Sequence, residues 1–166
     1  ELKFDKYMRS KSLSMSKKVR HRGPDWSGIY SSDHAILAHE RLSIVDVQSG
    51  KQPLISSDEN LILSINGEIY NHLDFRNDKT LSYDYKTKSD CEVIIPLFKK
   101  YGSKLLDKVN GIFAFFLYDK INNSFFVSRD PIGVIPLYMG LGDDGKKYFA
   151  SEMKCLVGIC SKIKEF

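Results

Sequence analysis

Five side-chain types in this sequence could do chemistry if brought together. Asn66 and Gly67 interrupt an apolar stretch, and an Asn amide beside a Gly N–H is a donor pair suited to a developing oxyanion in acyl transfer. The same pair reads equally well as a type I′ hairpin turn, because Asn-Gly tolerates φ > 0 at both central positions. Arg41 stands in the otherwise apolar context of residues 37–45, where a guanidinium needs a carboxylate. Glu40 and Asp46 could supply one within the chain, and a substrate α-carboxylate would fit the planar fork. Asp90 lies one residue after Ser89, and Ser89 with Glu92 has capping-box spacing, so a helix cap accounts for it. His21 and His39 are candidate general bases, but neither has a Ser or Cys at a recognisable spacing, and both read as structural polar residues. Cys91 falls inside the helix that Ser89 opens and reads as a packing residue, while Cys155 and Cys160 read as small hydrophobes near the chain's end.

These residues need a scaffold, and the hydrophobic pattern describes one. Residues 6–19 lack Gly and Pro and form a helix that the loop at 22–25 stops. Strands follow at 27–30, 34–42 and 61–65, separated by Ser- and Asp-rich turns. The clearest helix runs from Ser89 to a stop at Gly102, with Val93, Ile94, Leu97, Phe98 and Tyr101 at helical intervals. A short helix at 105–109 precedes strands at 112–119, 124–129, 134–140 and 147–151, linked as hairpins. These strands are apolar throughout rather than alternating, so both faces of their sheet are expected to be covered. The segment 129–133, with Pro131 and Gly133, is a rigid corner without chemistry.

Composition narrows the class. The chain has 166 residues, 42% hydrophobic and 28% charged, a single-domain length with enough apolar side chains for a core. Three cysteines in no CxxC arrangement argue against a disulfide framework and against a zinc site, so no metal is expected. No apolar run is long enough to span a bilayer and no leader is recognisable, so a cytoplasmic protein without a membrane partner is expected. The net charge of +4 is spread along the chain apart from Lys17, Lys18, Arg20, His21 and Arg22. Cations there suit the C-terminal end of the first helix, and no nucleic-acid partner is expected.

Taken in order, the segments RHRGPDWSG (20–28), AHERLSIVD (38–46), QPL (52–54), NGEIYNH (66–72), SDCEVI (89–94), GIFAF (111–115), RDPIGVIPLY (129–138) and FASEMK (149–154) resemble the class II glutamine amidotransferase domain of glutamine-hydrolysing asparagine synthetases. That domain belongs to the N-terminal-nucleophile hydrolases, and the resemblance covers essentially the whole chain. It implies an α+β fold, a four-layer αββα sandwich of two antiparallel sheets, with residues 1–166 forming one domain. It also implies chemistry: an N-terminal cysteine attacks the side-chain amide of L-glutamine with its own α-amine as base. Asn66 and Gly67 would form the oxyanion hole, Arg41 would hold the α-carboxylate and Asp90 the α-ammonium. Leu42, Ser43, Ile44, Val45 and Glu68 would line the same pocket. No cofactor is implied in this domain, whereas ATP and Mg2+ are implied for a C-terminal synthetase domain that would take up the ammonia to make asparagine. A homodimer of the full-length protein is left open. The family's opening Cys-Gly-Ile strand has no counterpart in Glu1-Leu2-Lys3-Phe4, so the nucleophile is expected on a strand missing from this chain. The competing class is a non-catalytic interaction module of the same fold.

Overall fold

The computed structural model describes residues 6–43, 46 and 49–166. Its centre is a pair of long antiparallel strands, β4 (Leu61–Ile69) and β5 (Gly111–Asp119), in register from Leu61 opposite Asp119 to Ile69 opposite Gly111. The short β3 (Leu54–Ile55) pairs with β4 and β6 (Ser124–Arg129) with β5, giving the order β3-β4-β5-β6. Because strand side chains alternate, Leu61, Leu63, Ile65, Phe113, Phe115 and Leu117 share one face. There they pack on Val93, Ile94, Ile95 and Leu97 of the helical segment containing α3 (Ile94–Tyr101) and on Leu105. Burying each of these side chains stabilises the fold by about 1.5–3 kcal/mol.

The opposite face carries Ile62, Ser64, Asn66 and Glu68 from β4 and is covered by a second β layer in two pieces. One is the hairpin β1 (Trp26–Ser31) and β2 (Ile36–Arg41), whose Leu37 clusters with Ile62 and Tyr118. The other has the order β8-β7-β9, from β7 (Tyr138–Gly142), β8 (Lys147–Ala150) and β9 (Cys160–Glu165). Phe149 of β8 packs with tilted rings against Phe116 and Phe125, with centroids 5.2 and 5.7 Å apart, joining this piece to the central sheet. Helix α1 (Lys6–Lys17) lies outside the second layer, through Ser16 Oγ donating to Glu40 (2.7 Å) and Lys11 Nζ to Tyr148 OH (2.9 Å). The layers run helix, sheet, sheet, helix, an αββα sandwich in which every strand pairing is antiparallel.

Several local expectations change. Asn66 and Gly67 make no turn: β4 passes straight through them, Asn66 opposite Ala114 and Gly67 opposite Phe113. The Ser89 capping box does not form, because the Glu92 carboxylate faces back onto the preceding loop, accepting from Lys86 N (2.8 Å), Thr87 N (2.8 Å) and Thr87 Oγ1 (2.6 Å). Residues Asp90–Val93 are accordingly a 3₁₀ turn leading into α3. Gly102–Asp107 is also 3₁₀, where a short helix at 105–109 was expected. The strand expected at 134–140 begins only at Tyr138, since Asp130 captures the N–H groups of Gly133 (2.8 Å), Val134 (3.0 Å) and Ile135 (3.2 Å). That carboxylate is what makes 129–133 a rigid corner. A short α2 (His72–Asn77) and β9 were not anticipated, as both are brief, largely polar segments with little periodic signal.

Candidate functional site

A cavity of about 810 Å³ opens between the two pieces of the second β layer, with the inner face of β4 and β5 as its floor. Residues of β2 line one side and residues of β8 the other. Leu37, Phe116 and Phe149 make one part of its wall apolar, while Arg41, Asn66, Glu68 and Asp90 are among its polar contributions.

Arg41 ends β2 and is only 5% exposed. Its Nη2 donates to the carbonyl of Asp46 (2.6 Å), which also accepts from Gly50 N (3.1 Å). A Cβ at Gly50 would lie 2.6 Å from Arg41 Nη2, so the guanidinium needs a residue without a side chain beside it. The nearby carboxylates are engaged elsewhere as well; against burial, which would raise it, the Arg41 charge is among the influences that lower the Asp46 pKa. Glu40 accepts from Ser16, Ser27 (2.6 Å) and Arg20 (2.7 Å); burial alone would raise its pKa, but these bonds outweigh it and hold Glu40 below the ordinary carboxylate range. Asp46 turns its carboxylate to Ser49 and Lys88.

Asn66 and Glu68 fall on the cavity face of β4 by alternation, with Gly67 between them. Gly67 has φ +141°, and a Cβ there would sit 2.0 Å from the Ile112 carbonyl oxygen. Its neighbourhood is held from the loop before β3. Gln52 Oε1 accepts from Ile65 N (2.8 Å) and Gln52 Nε2 donates to Ile65 O (2.7 Å), so one amide acts as a ladder partner beside Asn66.

Asp90 is buried on the cavity wall, and its Oδ2 accepts from Ile69 N at 2.7 Å. It is therefore tied to β4 rather than to the start of its own helix. Cys91 donates its thiol to Gly67 O (3.5 Å), and burial followed by the negative charge of Asp90 pushes its pKa well up. A thiol kept protonated in this way packs and does not attack.

Leu42 lines the cavity and is 54% exposed. Ser43 does not line it: its N–H donates to Asp25 Oδ2 (2.8 Å), and it borders a separate depression with Trp26 and Lys51. Ile44 and Val45 lie outside the described residues. His39 is on the cavity wall with Nδ1 3.1 Å from Ser64 Oγ; burial, then the Arg41 charge, lower its pKa to about 4, so it is neutral near pH 7. His21 lies in a 3₁₀ turn, Arg20–Arg22, that follows α1, its Nε2 3.2 Å from Glu152 Oε1. Among the described residues no group of three or more His, Cys, Asp or Glu is disposed to hold a metal ion, and no helix is long and apolar enough to cross a membrane.

Gln52, Asp46 and Gly50 were not singled out from the sequence as site residues. Gln52 stands before a Pro in a turn-rich stretch, and its contact with Ile65 carries no local signal.

Two antiparallel sheet layers between helices, enclosing a polar-ended cavity, define an Ntn-hydrolase-type αββα protein. Residues 2–165 match the family described as "Glutamine amidotransferase domain". The chain is 54% identical over 159 residues to asparagine synthetase B [glutamine-hydrolyzing] of Escherichia coli (strain K12), covering 96% of this chain and 29% of that protein. It is 49% identical over 161 residues to a probable asparagine synthetase [glutamine-hydrolyzing] of Dictyostelium discoideum, with the same coverage of 96% and 29%. It is 47% identical over 158 residues to asparagine synthetase [glutamine-hydrolyzing] 2 of Arabidopsis thaliana, covering 95% and 27%. The chain belongs to the glutamine amidotransferase family, and it spans less than a third of the length of these curated relatives.

Proposed function

We propose that this chain is the glutaminase part of a longer cytoplasmic enzyme that makes asparagine, releasing ammonia from L-glutamine. The observation that carries the reading is that Arg41, Asn66, Gly67 and Asp90, far apart in sequence, border one cavity. A free amino acid needs a fixed cation for its carboxylate and a fixed anion for its ammonium, and Arg41 and Asp90 are of those types. Asn66 and the Gly67 N–H would stabilise the oxyanion.

The nucleophile in this reading is an N-terminal cysteine on a strand preceding residue 1, and the gap between β2 and β8 is where that strand would lie. Its thiolate attacks the glutamine side-chain carbonyl carbon, and the tetrahedral intermediate puts its negative charge on the former amide oxygen. Collapse expels ammonia, protonated on the way out by the α-ammonium that formed when the cysteine's amine took the thiol proton, and leaves a thioester that water hydrolyses to glutamate and the free cysteine. No cofactor takes part in these steps. The ammonia would pass to a C-terminal synthetase domain of the same polypeptide, which uses ATP and Mg2+ to activate aspartate.

The test reads the mature N-terminus of the full-length protein by mass spectrometry and assays glutamate release. A terminal cysteine and release are expected, with Asn66→Ala lowering kcat by roughly 10²–10³ and KM much less. A first residue other than Cys together with no release would leave a non-catalytic module of the same fold.

A further inference from the structure

Resting on that glutamine-binding reading, we infer that Asp46 is a positioning residue that fixes the spacing between the two charged poles of the amino-acid site. It touches one pole, Arg41, and the segment that leads to the other, Asp90, with different atoms. Its carbonyl oxygen holds Arg41 Nη2 at 2.6 Å, and its carboxylate Oδ2 accepts the N–H of Lys88 at 2.7 Å, across 42 positions of sequence. Lys88 is two residues before Asp90 in the chain.

Asp46 is itself held in one orientation. Its φ is +53°, a left-handed conformation that Asp tolerates better than most residues. Its carboxylate also accepts from Ser49 N (3.0 Å) and from Ser49 Oγ. The segment it grips is anchored on either side of the contact. Glu92 takes the N–H groups of Lys86 and Thr87, Thr87 Oγ1 accepts from Ser89 N (3.1 Å), and Arg76 Nη2 donates to Ser89 O (2.6 Å). Asp90 in turn is fixed on Ile69 N. The contact with Lys88 thus joins the loop that seats the cation directly to the segment that seats the anion. A ligand with both an α-carboxylate and an α-ammonium feels that distance; a ligand with the carboxylate alone does not.

Asp46→Asn weakens the link, because the backbone carbonyl and its bond to Arg41 remain while an NH2 replaces one of the two oxygens that serve Lys88 N and Ser49; a Ser49 variant separates the two. In the full-length polypeptide, kcat/KM for glutamine is compared with that for 4-carbamoylbutanoate, which has the amide and the carboxylate but no α-ammonium. D46N should lower kcat/KM for glutamine about 10-fold, mainly through KM, and change that for 4-carbamoylbutanoate less than about 2-fold. Ser49→Ala, which loosens the loop but leaves the Lys88 bond, should keep the ratio near that of the unmodified protein. Should D46N fail to fold, Asp46→Ser removes the same acceptor and should narrow the ratio likewise. An unchanged ratio in the folded variant, or equal narrowing in S49A, overturns the inference. Absence of glutamate release from the unmodified protein is a different result: it overturns the glutaminase reading and this inference with it.

Discussion

At position 67 the structure accepts a hydrogen and nothing larger. Gly67 combines φ +141° with a backbone approach that would put a Cβ 2.0 Å from the Ile112 oxygen and 2.6 Å from the Phe113 Cα. Neither obstacle is the movable end of a side chain, so relief requires β4 and β5 to separate. Gly67→Ala should therefore destabilise the fold by about 3 kcal/mol or more, read as a lower urea midpoint. The Asn-Gly pair is instructive here, because a positive φ at Gly is shared by a hairpin turn and by this strand interior. Only the pairing with Ala114 and Phe113 separates them.

At the scale of elements, carboxylates that collect backbone N–H groups decide where elements start and stop. Asp130 accepts from Phe113 (3.3 Å), Gly133, Val134 and Ile135, and so ends β6 and delays β7 to Tyr138. Burial alone would raise its pKa, but those N–H groups outweigh it and lower the value. A depressed carboxylate contributes stability that is present above its unfolded pKa and lost as pH falls through its folded one. Asp130→Asn should cost roughly 2–4 kcal/mol at pH 7 by chemical denaturation. The difference from the unmodified protein should shrink on acidification below the ordinary carboxylate range. Glu92 does comparable work on residues 86 and 87, which is why the capping-box spacing of Ser89 and Glu92 leads to no cap.

At the scale of the whole molecule, the cavity lies between the two pieces of the second β layer. The polar row on β4, with Ser64, Asn66 and Glu68, lines it between the β1-β2 hairpin and the β7–β9 sheet. His39 reports on that space. With its pKa lowered to about 4, it is neutral when folded, whereas the unfolded chain binds a proton near pH 6.5. Between those values the unfolded state holds more protons, so stability is complete above about pH 6.5 and declines as pH falls toward 4. Thermal midpoints measured across this range should fall for the unmodified protein and flatten in His39→Gln, which keeps a polar group beside Ser64 but does not titrate.

The amino-acid order was enough for the α+β class, for both outer helices, for most strands and for the corner at 129–133. All of these depend on patterns within a few residues of one another, and side-chain periodicity and turn chemistry are local properties. The types of the principal site residues, a guanidinium, an amide beside a glycine, and a carboxylate, were also readable, with the family resemblance assigning their expected roles. What needed the folded chain was the direction each one faces. Asp90 turns to Ile69 across 21 positions, Asp46 reaches Lys88 across 42, and Gln52 grips Ile65 across 13. Such bonds leave no mark in local sequence, because a side chain spends its hydrogen-bonding capacity on whatever neighbour packing delivers, and that neighbour is chosen only when the layers close.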